Sequence, residues 1–512
     1  MTLRRRTALS AALAAGVLAL AGCGGGGTPA PGATGGGQAS TTLTLGTVVD
    51  ATAWDPAQAH VGHYIQMYQA AYDTLIKRAP DGELEPMLAT DWEWNEDNTV
   101  FTLNLRSDVT FSDGAAFNAE AVKANLEHFK EANGPQASTM NNVESVEVVD
   151  EDTVAYHLSA PDPALPFYLA NAAGFMGSPE ALGTDEIVSE PVGTGPYVID
   201  KASTVTGSQY TFTKREDYWA PELQKFDTVV FKFMQDTTAR LNALVSGQVD
   251  AALLDPKSEA QATGAGIELT TLPVDWQGLF LFDRAGEQVE ALGDVKVRQA
   301  INHAIDRESM LQAILQGRGT VTSQILGETT AGYDEALDSY YDYDPEKAKS
   351  LLAEAGYADG FSLTLPVSPG FDPVIFSSIA QQLGEVGITV QQDSVQGNDY
   401  RNNVLAGQYP AAFYGIFQGE PWIAVGHHIG PNAAFNPTGY TDETSKALID
   451  RMQQGGEDAD AAAKELGRYI TEEAWFAPFF RVDQMYFNRP GITVEQQIQQ
   501  AVPSLYNYAP AS

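Results

Sequence analysis

Apolar positions along this chain recur with two periods, one of two residues and one of three to four. Phe101, Leu103 and Leu105 alternate with Thr102 and Asn104, which predicts a strand with one buried face. Val154, Tyr156 and Leu158 repeat the pattern, as do Val229, Phe231 and Phe233. Helical spacing lies between these strands. Asn118 is placed to cap a helix whose Val122, Leu126 and Phe129 fall on one face. Asp294 precedes a second apolar stripe of Val297, Ile301, Ala304 and Ile305, and Asp306 opens a further helix that ends near Gly317. Asp344-Pro345 is a cap followed by proline at the first helical position, and Gly356 closes that helix. The mixture predicts an α/β protein without internal repeats.

The first 40 residues follow neither period. Arg4, Arg5 and Arg6 precede an apolar run from Ala8 to Leu20, then Leu20-Ala21-Gly22-Cys23. A basic start, a short apolar core and small residues before a break describe a secretory signal, removed from the mature protein. The run is too short for an ordinary transmembrane helix, which needs about 20 residues. Leu-Ala-Gly-Cys resembles the bacterial lipobox, which implies cleavage after residue 22 and acylation of Cys23. Cys23 is the only cysteine, so no disulfide forms within the chain and core packing must carry stability. Eight of the 17 residues from Gly24 to Ser40 are glycine, which predicts a flexible tether over 23–40. The expected location is extracytoplasmic, on the membrane through the lipid.

Charge narrows the partners. The net charge is −38, and loss of Arg4–Arg6 with the signal makes the mature chain more acidic still. Nucleic-acid binding is excluded as a function, because no basic patch survives to neutralise phosphates. The chain contains no Gly-x-Ser-x-Gly, no His-Glu-x-x-His and no P-loop, and thiol catalysis has no cysteine to use. A binding protein without cofactor is expected rather than an enzyme. A secreted hydrolase or a ligand-sensing lipoprotein are the alternatives from other classes.

The order of short motifs adds a resemblance. Tyr72-Asp73-Thr74-Leu75-Ile76, Asp81-Gly82, Pro86-Met87-Leu88-Ala89 and Trp92 are followed by Val109-Thr110-Phe111-Ser112-Asp113-Gly114 and Asn118-Ala119-Glu120-Ala121-Val122. Gly193-Thr194-Gly195-Pro196-Tyr197, Asp217-Tyr218-Trp219, Leu244 to Asp250, Arg298-Gln299-Ala300 and Ala304-Ile305-Asp306-Arg307 continue the series. In this order they resemble the family 5 extracellular solute-binding proteins, the dipeptide, oligopeptide and nickel receptors of ABC importers. The resemblance implies a two-lobed, type II periplasmic-binding-protein-like clamshell with an extra subdomain. Lobe one would span 41–275, with the subdomain at about 81–190. Lobe two would span 276–480, and 481–512 would return to lobe one. The expected partners are a small-molecule or peptide ligand and the permease and ATPase of an importer. The expected state is a monomer.

Within that resemblance the cleft departs from the peptide receptors. These carry an acid in a Trp-x-x-Asp-x-x-Asp-Pro stretch that pairs with the peptide's α-ammonium. Here the stretch reads Tyr414-Gly415-Ile416-Phe417-Gln418-Gly419-Glu420-Pro421, and Phe417 stands at the anchoring position. A phenyl ring cannot neutralise a buried ammonium. Either another acid replaces it, with Glu420 nearest in sequence, or the ligand has no free amino group. Trp276, Tyr414, Phe417, Glu420, Trp422, His427 and His428 are the candidate ligand contacts. A peptide or peptide-like solute is expected, with an oligosaccharide or a nickel or other metal chelate as alternatives. His60-x-x-His63 has no acidic partner beside it, so no metal-ligand set is assigned.

Overall fold

A computed structural model of the protein describes residues 41–511, apart from positions 52 and 397. The signal segment, Cys23 and the tether lie outside the described residues. The sequence caps are all used. Asn118 Oδ1 accepts from the Ala121 amide at 3.0 Å at the head of helix Ala119–Ala132. Asp294, Asp306 and Asp344 cap Val295–Ala304, Arg307–Leu315 and Pro345–Glu354 in the same way. The three alternating stretches are the strands Val100–Leu105, Thr153–Leu158 and Thr228–Phe233, with Phe101, Leu103, Val154, Tyr156, Val229 and Phe231 buried.

Two long antiparallel strands, Glu268–Leu281 and Phe476–Asn488, organise the molecule. At one end Ala251–Leu254 joins their sheet, followed by Thr42–Thr47, Thr228–Phe233, Gln209–Lys214 and Tyr197–Ile199. At the other end Ala411–Phe417 pairs with Asp275–Leu281, and Gly319–Val321 pairs with Phe480–Val482. The ladder slips between Pro273 and Asp275, and again between Gln277 and Gly278. Proline lacks the ladder N–H, so a bulge is where a strand tolerates it. At Gly278 a Cβ would lie 2.3 Å from the Ala477 carbonyl oxygen, so the second slip requires glycine.

Separate cores flank this pair. Leu43, Leu45, Tyr72, Phe212 and Phe231 form one beside the Thr42–Thr47 end. A four-stranded sheet of Ala89–Trp94, Val100–Leu105, Thr153–Leu158 and Val143–Asp150 packs on helix Ala119–Ala132 around Phe101, Phe111 and Val122. Around the Ala411–Phe417 end, Ile301, Leu363, Ile379 and Phe413 fill one face of the sheet, and Trp276, Phe280 and Phe476 fill the other. This is the two-lobed α/β architecture expected from the sequence. Among the described residues no helix is long and apolar enough to cross a membrane.

The Gly193-Thr194-Gly195-Pro196 loop is a packing device. A Cβ on Gly193 or Gly195 would lie 2.3 Å from backbone atoms of Ala71, and Thr194 Oγ1 accepts from the buried Asp73 amide at 3.1 Å. Charges at helix starts are structural too. Arg298, buried, donates to the carbonyls of Leu292 and Glu473, and Arg307 to those of Asn302, Thr322, Tyr341 and Pro478.

Candidate ligand-binding site

The edge strand Ala411–Phe417 runs into Gln418-Gly419-Glu420 and then the short helix Pro421–Ala424. That helix continues as a π-turn, Val425–Ile429, carrying both adjacent histidines. Such turns recur at functional sites. Strand alternation puts Trp276 and Tyr414 on one face of the sheet and Phe417 on the other.

Trp276 and His428 go inward. Trp276 is 0% exposed, stacked on Phe280 at 4.8 Å and edge-on to Phe476 at 5.6 Å. His428 is 2% exposed and lies among Trp276, Phe280 and Phe476, with neither ring nitrogen hydrogen-bonded by protein. Burial, with a smaller push from His427, lowers its pKa to about 3. Both are core residues in this structure, because their strand and turn direct them at the Phe280–Phe476 cluster rather than at the surface.

Tyr414, Phe417, Glu420 and Trp422 are half-buried, and His427 is exposed. Tyr414 stacks on Tyr400 at 6.1 Å and meets the Phe435 ring at 4.8 Å. A Cβ on Gly419 would lie 2.5 Å from Phe417 Cε1, so glycine lets that ring lie against the chain. Although exposed, His427 is surrounded closely enough for desolvation to lower its pKa. The sequence pointed to Glu420 as the acid nearest Phe417, and the sheet register brings a second one beside that ring. Glu420 Oε1 already accepts from Gln499 Nε2 at 2.8 Å. The carboxylate beside Phe417 is Asp275, its direct partner across the ladder. Directly opposed residues project on the same face of a sheet. Asp275 is half-buried, and the one bond to it among the described residues is a long one, from Gln484 Nε2 at 3.4 Å. Burial pushes its pKa up to about 6, with the Gln484 amide opposing.

Beneath this segment Arg481 is fully buried. Its Nε donates to Gln418 Oε1 at 3.2 Å and its Nη2 to Asp338 Oδ1 at 2.7 Å, which fixes the floor under Phe417 and Gly419. His60 and His63 sit apart, His60 exposed and stacked on Tyr64 at 5.3 Å. Among the described residues no group of three or more His, Cys, Asp or Glu side chains comes together to hold a metal. Sequence reasoning missed Asp275, Gln499 and Arg481. No local motif signals them, because sheet register and the return of the C-terminal segment bring them here.

Separate cores at the two ends of a long strand pair, with half-buried polar and aromatic groups beside it, are the architecture of a two-lobed α/β protein. Residues 83–424 match the bacterial extracellular solute-binding proteins, family 5, and the chain belongs to that family. The glutathione-binding protein GsiB of Salmonella typhi is 32% identical over 349 residues, 66% of this chain and 66% of that protein. The match thus spans just under two thirds of that relative's length. HbpA2 of Haemophilus parasuis has the same fold, with a TM-score of 0.80 at 23% identity over 92% of this chain and 100% of that one. DppA of Helicobacter pylori, an ABC-transporter-associated periplasmic binding protein solved with the peptide STSA, gives 0.75 at 22% identity over 93% and 99%.

Proposed function

We propose that this chain captures a peptide or peptide-like solute between its lobes and delivers it to the permease of an ABC importer while Cys23 holds it on the membrane. The observation that carries the ligand class is Asp275. A carboxylate can accept about four hydrogen bonds, and one long bond leaves it open to a cationic N–H group. It faces the same side of the ladder as Phe417, so it supplies the charge that the phenyl ring lacks. Phe417 and His427 would line the remaining wall. A relative named for glutathione and a fold neighbour holding a peptide support the same class.

The proposed lobes are 41–275 with the subdomain at about 81–190, 276–480, and the return 481–512. The ladder slip at Pro273–Asp275, opposite Val482 and Asp483, supports a crossing there. Closure follows from population shift, since a ligand that touches both lobes binds the closed form better.

Native mass spectrometry of protein purified without refolding tests the ligand class. A retained peptide, or glutathione or STSA binding by calorimetry, is the expected result. A retained oligosaccharide would sink the Asp275 argument and make the Phe417 ring the main contact. Retained metal chelate would bring His427 forward. Radiolabelled fatty acid on wild type and not on Cys23→Ala checks the anchor.

A further inference from the structure

Glu420 and Trp422 both bond outside the core that carries them. Trp422 packs against the cluster of Trp276 and Phe280, yet its Nε1 donates to Asp162 Oδ1 at 3.0 Å. Asp162 lies between Leu158 and Leu165 of the four-stranded-sheet core. It is held there by Asn142 Nδ2 on Oδ2 at 2.8 Å and by the Ala164 amide on Oδ1 at 3.2 Å. Glu420 accepts from Gln499, which is 2% exposed and has a left-handed φ of 53°. Arg78 Nη2 donates to Gln499 Oε1 at 2.7 Å, so both ends of that amide are committed. A non-glycine residue in this conformation costs free energy, and surrounding structure must over-determine it. The seam extends further along the subdomain. Gln453 Nε2 donates to the Pro161 carbonyl at 3.2 Å, and Asn98 Nδ2 to the Gln454 carbonyl at 2.8 Å.

We infer that Asp162 and Gln499 are positioning residues of the solute site, clasping the Glu420-Pro421-Trp422 segment from the four-stranded-sheet subdomain and from the C-terminal return. This rests on the receptor reading. The clasped segment begins three residues after Phe417, so a solute against Phe417 and the clasp share one short rigid element. Opening the lobes must break both bonds, and each involves a carboxylate, the stronger kind of hydrogen bond. Neither bond needs a ligand, so the clasp biases the empty protein toward the closed form. Asp162 acts through Trp422, and Gln499 through Glu420.

Small-angle scattering of ligand-free protein and stopped-flow release of glutathione test the clasp. Ligand-free Trp422→Phe/Glu420→Ala should be more expanded than wild type at unchanged Tm. Each single variant should release glutathione about tenfold faster, the order expected for one charge-assisted bond. Glu420→Gln, which keeps an acceptor oxygen, should restore most of the slow release. Adding Trp422→Phe to Asp162→Ala should change nothing more. Identical scattering of wild type and double variant would overturn the inference. So would a Trp422→Phe effect that persists in full on Asp162→Ala, which would make the ring a direct ligand contact. Expansion without glutathione binding would leave the clasp standing and reject the ligand class.

Discussion

Two groups of side chains, carried by the strands Glu268–Leu281 and Ala411–Phe417 and by the segment that follows, live in different surroundings. Trp276, Phe280, Phe476 and His428 form a sealed cluster in which even the Trp276 N–H and both His428 nitrogens go without a protein partner. One residue before Trp276 stands Asp275, half-buried and opposite Phe417, and the next segment sends Glu420 and Trp422 to partners in other cores. The first group excludes polar company and serves stability. The second keeps polar atoms at a half-buried seam, where the proposed solute site lies. A period of two is enough to separate Trp276 from Asp275 and Phe417, because successive strand residues face opposite sides.

The largest test of that division is Trp276→Ala. It should cost about 3–5 kcal/mol in urea unfolding, as deletion of a large enclosed ring does, with glutathione affinity of the folded fraction unchanged within about twofold. A folded variant with lost affinity would merge the two groups. Asp275→Asn should do the reverse, weakening glutathione about a hundredfold by calorimetry, at the strong end of a charge-assisted bond. Its pH dependence has a defined sign. The folded carboxyl titrates near 6, above the ordinary value near 3.9, so the folded state holds its proton longer. Wild-type stability from this group is therefore fully present below about pH 4 and is lost as pH rises to 6. Ammonium binding runs the other way and gains as pH rises through 6. Asp275→Asn should show neither slope.

Much of the fold could be read from local pattern. Asn118, Asp294, Asp306 and Asp344 cap the helices their spacing announces, and the three alternating stretches are strands. These features depend on neighbours within a few residues. The site was legible only in part, because its chemistry is set by pairings between distant segments. Which of Trp276 and Asp275 faces inward depends on ladder slips at Pro273 and Gly278 that composition does not reveal. The pairing of Asp275 with Phe417 is a register fact between separate strands, and Gln499 reaches Glu420 from near the C-terminus. Sequence proximity suggested Glu420 for the missing charge. Spatial proximity brings Asp275 beside Phe417 as well.

His428 supplies the smallest and most directional test. Its folded pKa lies near 3 because burial disfavours the cation, whereas the unfolded imidazole titrates near 6.5. Neutral His428 is therefore fully compatible with folding above pH 6.5, and stability falls as pH drops below that value toward 3. The loss approaches about 1.4 kcal/mol per pH unit once the unfolded chain is protonated. His428→Phe removes the titration and fits the aromatic surroundings, so its melting temperature should decline less than wild type between pH 6.5 and 5. Over that range Asp275 acts in the opposite direction, gaining stability as pH falls. His428, packed on Trp276, and Asp275, the residue before it, are thus separable by titration alone: His428→Phe should flatten the acid loss, and Asp275→Asn should steepen it. Equal slopes in both variants would mean that neither group is buried as described.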